Sequence, residues 1–520
     1  MAGDRPVTRV RGAWRVLPLV FLAVFFAWPV VHGLVRHGRP GEVVSVLTDP
    51  SLRGIAWFTL WQAAASTALT LLVGMPVTWA LSKWRFRGAG VLHAMVTVPF
   101  LMPAVVVAAG VLAIMPGGGT VAILWAHTVF NVSVVLRIVG PRWQMVDRET
   151  QETAESLGAP PWRVFTTVTW PEIRGAVRNA AAVVFAFCFS SFAVVSVLGG
   201  PSVRTLETEV FTQAVRIGDM RTATALALVQ TATVLAVLWV GRMRNGDTAG
   251  ETRLTGVRHV SERMYLRALP AVVAGLGAGF VIAPLFAMAL RSVRRDGRWT
   301  LSGWRALFDG TLESVGVDIP SVLASSAVFA VATVVIAVPL ALAACNRTRQ
   351  SAAETVSLAP LLVSSVTLGL GLVITFDRAP WDWRGDAWLL PVVHAVVALP
   401  LAVRTIGPAL RAVGGEVMDA ASDLGAVPLR RWFTVELPMI RPALARAAGI
   451  SAAVSLGEFG ATSFLSRSGT MTVPVAIGQL LGRPGPVLQQ AGFALASLAG
   501  ITVVCTGALL RPVHPDPVPA

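Results

Sequence analysis

The chain has 520 residues, of which 54% are hydrophobic and 14% are charged, and its mean hydropathy is +0.67. Because soluble domains carry roughly 25% charged residues, this composition excludes a disordered chain, a collagen-like repeat and an ordinary cytosolic enzyme. The net charge of +15 comes from basic residues that lie mostly between apolar runs, which indicates cytoplasmic loops against anionic lipid and not nucleic-acid binding. The composition predicts an all-α integral membrane protein.

Twelve apolar segments, in two groups of six, are long enough for spans, each of which needs about 20 residues. The first group comprises 14–35, 56–81, 91–115, 120–140, 177–199 and 221–241. The second group comprises 267–290, 320–345, 355–376, 388–408, 443–465 and 487–510. We interpret the first segment as a retained span and not as a signal peptide, because it is too long for one. The segment at 120–140 is predicted to be the weakest span, because Pro116-Gly117-Gly118-Gly119 closely precedes it.

Basic loops predict the orientation of these spans. The residues that place the N-terminus and the loop after span two in the cytoplasm are Arg5, Arg9, Arg11, Arg15, Lys83, Arg85 and Arg87. An even number of spans then puts both termini on the cytoplasmic side. The loop after the seventh span does not fit this pattern, because it carries five arginines between 291 and 305 on the predicted outer face. We expect a small extracytoplasmic element there.

The chain therefore divides into four parts. These are a first six-span unit (1–241), a cytoplasmic linker (242–266), a second six-span unit (267–510) and a short C-terminal tail (511–520). One offset of 267 residues relates the two units, pairing His127 with His394, Arg137 with Arg404, Gly140 with Gly407 and Thr205 with Thr472. We interpret the units as two copies in the same orientation, an arrangement that commonly builds a translocation path at the interface.

The polar loops at 141–176 and 409–442 share the most specific spacing. The first loop contains Glu152, Ala154, Gly158 and Pro171, and the second contains Asp419, Ala420, Ala421, Gly425 and Pro438. An acidic residue favours the first turn of a helix and a glycine its left-handed end, so each loop is predicted to form helix, turn and helix. Duplication of the spacing favours docking of a two-fold symmetric cytoplasmic partner. The alternative is an interfacial helix that rests on lipid.

These loops carry a family resemblance. Asp419-Ala420-Ala421, Gly425 and Leu437-Pro438 resemble the Glu-Ala-Ala motif of binding-protein-dependent ABC transporter permeases. The departures are Asp419 for Glu, Thr153 for Ala and Trp170 for Leu. With the fused form and stretches such as Leu456-Gly457-Glu458-Phe459-Gly460, the chain resembles the iron(III) and thiamine permease group, of the type I importer fold.

The resemblance implies a multi-pass plasma-membrane subunit without a cofactor or catalytic residues of its own. Two copies of a separate ATPase would grip the loops around Gly158 and Gly425, and an extracytoplasmic binding protein would deliver the solute. Lys83 is the only lysine, and it follows Ser82, which excludes a G-x-x-x-x-G-K-[ST] nucleotide loop anywhere in the chain. Whether iron(III), thiamine or another solute crosses stays open at this point.

Polar residues within the spans are the candidates for a translocation path. Glu458 in span eleven could attract a cationic substrate, or it could be a hydrogen-bonded structural residue. The candidate path comprises Glu458 and Phe459 with their repeat counterparts Ser191 and Phe192. The paired histidines at 127 and 394 lack a neighbouring carboxylate or cysteine, so we predict interhelical hydrogen bonds for them and no metal site.

Two other classes of protein are alternatives to an ABC transporter permease. A stand-alone secondary transporter of twelve spans, driven by an ion gradient, is the alternative; it predicts several acidic or histidine residues within spans and no duplicated docking loops. An intramembrane enzyme needs a catalytic constellation, and the sequence has neither an H-E-x-x-H motif nor a plausible Ser/His/Asp set.

Overall fold

The computed structural model describes residues 14–509, except Arg15, Arg85, 244–263, 348–349, 378–379 and Ser468. Several sequence predictions lie outside the described residues. They are the N-terminal arginines at 5, 9, 11 and 15, Arg85, most of the linker at 242–266, and the tail at 511–520.

The first half contains twelve helices among the described residues. They are α1 (Val16–His37), α2 (Pro40–Thr48), α3 (Pro50–Lys83), α4 (Ala89–Leu101), α5 (Ala104–Ile114), α6 (Thr120–Gln144), α7 (Arg148–Ser156), α8 (Pro161–Val164), α9 (Trp170–Phe189), α10 (Phe192–Leu198), α11 (Leu206–Phe211) and α12 (Met220–Met243). π-Helical turns at Ala23–Ala27, Phe165–Thr169 and Thr212–Ile217 lie within α1, between α8 and α9, and after α11.

The described part of the second half contains twelve more helices. They are α13 (Met264–Val293), α14 (Ser302–Ala306), α15 (Ile319–Ala344), α16 (Ala352–Val356), α17 (Ser365–Thr375), α18 (Leu389–Ala412), α19 (Gly415–Asp423), α20 (Pro428–Arg431), α21 (Leu437–Gly457), α22 (Gly460–Leu465), α23 (Val473–Gly482) and α24 (Pro486–Leu509). Strands β1 (Arg294–Arg295) and β2 (Arg298–Trp299), 3-10 turns at Thr311–Val315 and Ala359–Leu362, and a π turn at Trp432–Glu436 complete it.

The helices confirm an all-α membrane protein. Within the described ranges, eight helices are long and apolar enough to cross a membrane, and three bent pairs raise the number to eleven if each pair is one span. The bends are 108° between α4 and α5, 52° between α9 and α10, and 97° between Ala352–Leu362 and α17. The predicted span at 443–465 coincides with α21 and α22, which fall short of the hydropathy of a span because α21 carries Arg441 and Arg446. The total of twelve membrane spans stays a prediction.

The segment at 120–140 is not the weak span that the sequence predicts. It lies within α6, an unbroken helix of 25 residues that is largely buried. The glycines before it turn the chain without entering the helix, since Gly118 and Gly119 have φ of +59° and +90°. The backbone N–H of Gly119 then donates to the carbonyl of Leu198, 2.7 Å away, which fixes the start of α6 against the end of α10.

The two halves exchange their first spans. Helices α3, α6 and α9 pack together in the first half, and α15, α18 and α21 pack together in the second. Helix α1 packs against α15, α17 and α18 of the second half and against α12 of its own, whereas α13 packs against α3, α4 and α5 of the first half and against α24 of its own. One cluster of buried apolar side chains consequently runs from α1 to α24 through both halves.

Glycines make these exchanged contacts close, as small residues do between helices in lipid. A Cβ added to Gly110 in α5 would lie 2.8 Å from the carbonyl carbon and oxygen of Pro284 in α13. A Cβ added to Gly371 in α17 would lie 2.9 Å from the carbonyl oxygen of Pro29 in α1. In both halves, therefore, the broken-span helix meets the backbone of the exchanged span directly.

The basic segment after α13 forms a small folded element. Strands β1 and β2 pair antiparallel, with Arg294 opposite Trp299, and Asp296 and Gly297 make the turn at φ of +49° and +80°. The side chain of Gln490 in α24 holds the following segment, because its amide donates to the carbonyl of Thr300 at 2.9 Å. The element is thus fixed to the last helix of the chain.

Candidate coupling surface and interface between the halves

The two polar loops fold into the same series of short elements. Helix α7, a turn, helix α8 and a π turn lead into α9, and α19, a turn, α20 and a π turn lead into α21. In each pair the second element begins 267 residues after the first. Pro171 and Pro438 are the second residues of α9 and α21, which continue directly from the π turns before them.

The two loops differ at the N-terminus of their first helix. The Asp147 carboxylate caps α7 by accepting from the backbone N–H of Glu149 at 3.1 Å and from the Thr150 hydroxyl at 2.6 Å. The Thr150 hydroxyl, followed by the backbone N–H groups of Glu149 and Thr150, lowers the pKa of Asp147. The equivalent residue before α19 is Gly414, which has no side chain to supply a cap. A side-chain cap therefore holds the start of the first helix in the first loop and not in the second.

Both loops end their first helix on a left-handed glycine. Gly158 has a φ of +82° and Gly425 a φ of +79°, as their predicted role requires. The following residues donate back into the helix at matching positions, Ala159 to the carbonyl of Ala154 and Ala426 to that of Ala421, both at 3.0 Å. The glycines therefore fix the direction in which the chain leaves each helix.

Each loop exposes apolar side chains beyond its helix. Leu157 and Leu424, the residues before the glycines, are 84% and 88% exposed. Further exposed apolar side chains in the two loops are Trp162, Phe165, Val427, Leu429 and Phe433. Glu152 and Asp419 are exposed at equivalent positions, as is Ala420, whereas Ala154 and Ala421 are half-buried. Such apolar patches rimmed by polar groups are typical of a protein-binding surface.

Polar contacts connect each loop to the long second helix of its half. In the first half the ammonium of Lys83, at the end of α3, donates to the Gln151 side chain in α7 at 2.8 Å. The Gln151 amide in turn donates to the Thr169 hydroxyl at 2.8 Å. In the second half Arg347, just after α15, lies 3.6 Å from Glu436, the repeat counterpart of Thr169. Polar side chains thus join each loop to a membrane helix of its own half.

Phenylalanines meet between the two halves. The rings of Phe192 and Phe459, which the sequence pairs as repeat counterparts, have centroids 5.3 Å apart. Phe211 packs against Phe192 at 5.2 Å and against Phe464 of the second half at 5.2 Å. Phe192, Phe459 and Phe464 are buried, so the four rings, named here the phenylalanine cluster, fill the interface.

Glu458 and Ser191 lie beside this cluster but have different surroundings. Ser191 precedes α10 without a capping hydrogen bond from its side chain. The buried Glu458 carboxylate accepts from the backbone N–H of Thr462 at 2.9 Å and from the Thr462 hydroxyl at 2.7 Å. It also accepts from the backbone N–H of Ala461 at 3.2 Å. These bonds support the structural interpretation of Glu458, whose carboxylate holds the first turn of α22.

The two paired histidines make the interhelical hydrogen bonds that the sequence predicts. His127 in α6 is 3.0 Å from the Ser66 hydroxyl in α3. His394 in α18 is 2.8 Å from the Ser455 hydroxyl in α21 and 2.9 Å from that of Thr462 in α22. Within the described residues, no three His, Cys, Asp or Glu side chains gather as a metal site.

Sequence reasoning missed two buried carboxylates. Glu207 and Glu209 in α11 are 0% and 3% exposed, although they lie between the spans predicted at 177–199 and 221–241. Thr205 directly precedes α11, and its backbone N–H donates to the Thr208 hydroxyl at 2.9 Å. This Thr-x-x-Thr spacing, followed by Val210-Phe211, is the signal that could have indicated a short buried helix.

Sequence comparison relates the chain to known proteins. No protein-family model matches the chain. The chain is 26% identical over 494 residues to the thiamine transport system permease protein ThiP of Brucella abortus, with 90% of this chain and 89% of that protein covered. It is 25% identical over 492 residues to ThiP of Escherichia coli, with 89% of each covered. The predicted resemblance to ABC transporter permeases is confirmed.

A third relative carries a broader description. A probable ABC transporter permease protein, y4fN of Sinorhizobium fredii, is 27% identical over 538 residues, with 95% of this chain and 92% of that protein covered. The similarity therefore extends over both halves and the linker, as expected of a fused permease. The chain is a permease subunit of the ABC importer class, embedded in a membrane by multiple spans.

Proposed function

We propose that this permease carries thiamine across the plasma membrane in an ATP-driven importer. The observation that carries the proposal is the similarity, over about nine-tenths of the chain, to permeases described as thiamine transport system proteins. The same similarity favours thiamine over iron(III), the other solute that the sequence leaves open. The chain supplies the membrane path, and a separate ATPase supplies hydrolysis.

Two copies of that ATPase bind the permease, one at α7 with α8 and one at α19 with α20. Supporting this, both loops expose apolar side chains beyond a left-handed glycine and repeat the same elements at one offset. The repeated elements likewise support the division into two copies of a six-span unit. ATP-driven closure of the ATPases then moves the two halves as rigid bodies.

The phenylalanine cluster is the barrier that this motion opens. Its rings come from both halves, so relative movement of the halves separates Phe192 from Phe459. An extracytoplasmic binding protein delivers the solute to the outer side of the cluster. The residues proposed for coupling remain those of the two loops, from Glu152 to Pro171 and from Asp419 to Pro438.

Uptake of labelled thiamine and of labelled ferric iron tests the proposal directly. Cells that express the permease with its own ATPase and binding protein should accumulate thiamine and not iron. A hydrolysis-dead ATPase in the same complex should abolish the uptake. Uptake that persists with the dead ATPase and collapses with an uncoupler would establish the secondary transporter instead. Uptake of iron without uptake of thiamine would refute the assignment of thiamine as the substrate.

Cysteine labelling tests the cytoplasmic position of the linker. In a Cys505→Ser background, Thr248→Cys should react with an impermeant maleimide only after permeabilisation, because the linker is predicted to be inside. Arg298→Cys, at the exposed strand β2, is the matched control and should react in intact cells. Labelling of Thr248→Cys but not of Arg298→Cys in intact cells would show that the permease has the opposite orientation in the membrane.

A further inference from the structure

Three buried carboxylates lie near the interface between the halves, and one of them lacks full hydrogen bonding. Glu458 accepts three hydrogen bonds, and Glu209 lies 3.3 Å from Arg204 and accepts from the Gln213 amide at 2.7 Å. Glu207, which is fully buried, accepts from the Gln230 amide through Oε1. Among the described residues, neither Glu207 Oε2 nor Gln230 Oε1 has a hydrogen-bond partner. Buried polar atoms of this kind are costly to a fold and mark functional sites in membranes.

Glu207 lies where the halves meet. Helix α11 packs against α17 of the second half. The hydroxyl of Ser364, which caps the N-terminus of α17, lies beside the Glu207 carboxylate. The Glu207 carboxylate is therefore covered on one side by the second half.

The carboxylate is adjacent to the phenylalanine cluster. Glu207 and Phe211 are four residues apart in α11, which places them on the same face of the helix. The Phe211 ring contacts Phe192 of its own half and Phe464 of the other. An acidic side chain thus shares a helix face with an aromatic ring, and this combination can bind a flat organic cation by charge pairing and by cation–π contact.

The shared fold of the two halves does not require this carboxylate. The 267-residue offset pairs Glu207 with Pro474, and α24 begins 266 residues after α12, which pairs Gln230 with Ala496. Pro474 occupies the first turn of α23, the helix equivalent to α11, and that helix forms without an acidic residue. The pair is therefore a feature of one half alone, as expected of a group that serves the solute.

We infer that Glu207, with Gln230 and the rings of Phe192, Phe211 and Phe464, recognises the positively charged heteroaromatic ring of the transported solute. The inference rests on the proposed function. The Glu207 carboxylate neutralises the ring charge, and the two unpartnered oxygens accept hydrogen bonds from an amino group of the solute. The site is closed in the described arrangement and becomes accessible when the halves separate.

The test compares Glu207→Gln with wild type in vesicles that contain the permease, its ATPase and the binding protein. The probes are thiamine and an analogue in which a neutral thiophene replaces the thiazolium ring. Thiamine uptake by Glu207→Gln should fall about tenfold or more, because a buried charge pair is lost. The preference for thiamine over the neutral analogue should fall with it. Stimulation of the ATPase by loaded binding protein should stay near the wild-type level.

Glu209→Gln is the matched control, because Glu209 lies in the same helix and its carboxylate already has protein partners. It should keep both the rate and the preference. Equal losses in the two variants, or an unchanged preference in Glu207→Gln, would overturn the inference. If the Glu207→Gln permease does not assemble with its partners, the test uses Glu207→Asp instead. This variant keeps the carboxylate and should keep the preference for thiamine over the neutral analogue, and loss of that preference would overturn the inference. Failure of wild type to transport thiamine would instead refute the proposed substrate, whatever the variants do.

Discussion

Replacing Gly158 and Gly425 together with valine should abolish ATP-driven uptake while leaving the permease inserted in the membrane. Both glycines have φ near +80°, where side chains of L-residues cost about 1–2 kcal/mol each. No described atom lies within 4 Å of a Cβ added at either position, so the penalty is in the backbone and not in a clash. The loops would leave their helices in another direction, displacing Leu157 and Leu424. Uptake and protein yield measured together check this.

Asparagine at the same two positions is the matched control, because it tolerates the left-handed conformation better than other side chains. The double asparagine variant should keep most of the uptake although it adds a larger polar group. Equal loss with asparagine and valine would show that the ATPase needs bare backbone there. Full activity of the valine variant would remove the docking role of these loops.

Replacing Gly110 with leucine should destabilise the folded permease strongly. The added Cβ would lie 2.8 Å from the backbone of Pro284, which cannot move without shifting α13. Overpacking of this kind typically costs about 1–3 kcal/mol. The thermal unfolding temperature of the detergent-solubilised protein should fall, and uptake should fall with the amount of folded protein.

Gly275→Leu serves as the comparison, because Gly275 lies in α13 itself and a Cβ there meets no described atom within 4 Å. This variant should unfold at the wild-type temperature. An unchanged unfolding temperature in Gly110→Leu would mean that α13 does not pack on α5 as described. A lower unfolding temperature in both variants would show that leucine is unfavourable at any glycine in these helices. The contact between Gly110 and Pro284 would then not explain the effect.

The spans and the two loops were predictable because their signals are local. Apolar length marks a membrane helix, and the spacing of Gly158 and Pro171, repeated in Gly425 and Pro438, marks a turn between short helices. The structure places helices, left-handed glycines and helix-starting prolines at these positions. The contact of Phe192 with Phe459 also follows from pairing the halves, since a residue near a two-fold axis meets its own counterpart.

The exchange of α1 and α13 could not be predicted, because apolar segments in lipid do not reveal which neighbour they pack against. The broken spans were hidden for a similar reason. Pro103 lies inside an apolar run, and only the structure shows that the chain bends by 108° beside it. Glu207 was missed because it follows a span in sequence, whereas α11 turns back into the protein. The hydropathy of a segment does not show how deeply its residues are buried in the folded protein.

The exchange of first spans has a consequence for how the chain is made. Helix α1 leaves the ribosome first, but the helices that cover it, α15, α17 and α18, are synthesised about three hundred residues later. The surfaces of α4 and α5 that receive α13 are also complete before α13 exists. A nascent first half therefore waits in the bilayer with unmatched faces, held by lipid or by the insertion machinery. A first half made without the second would leave unpacked the surface of α1 that α15, α17 and α18 cover.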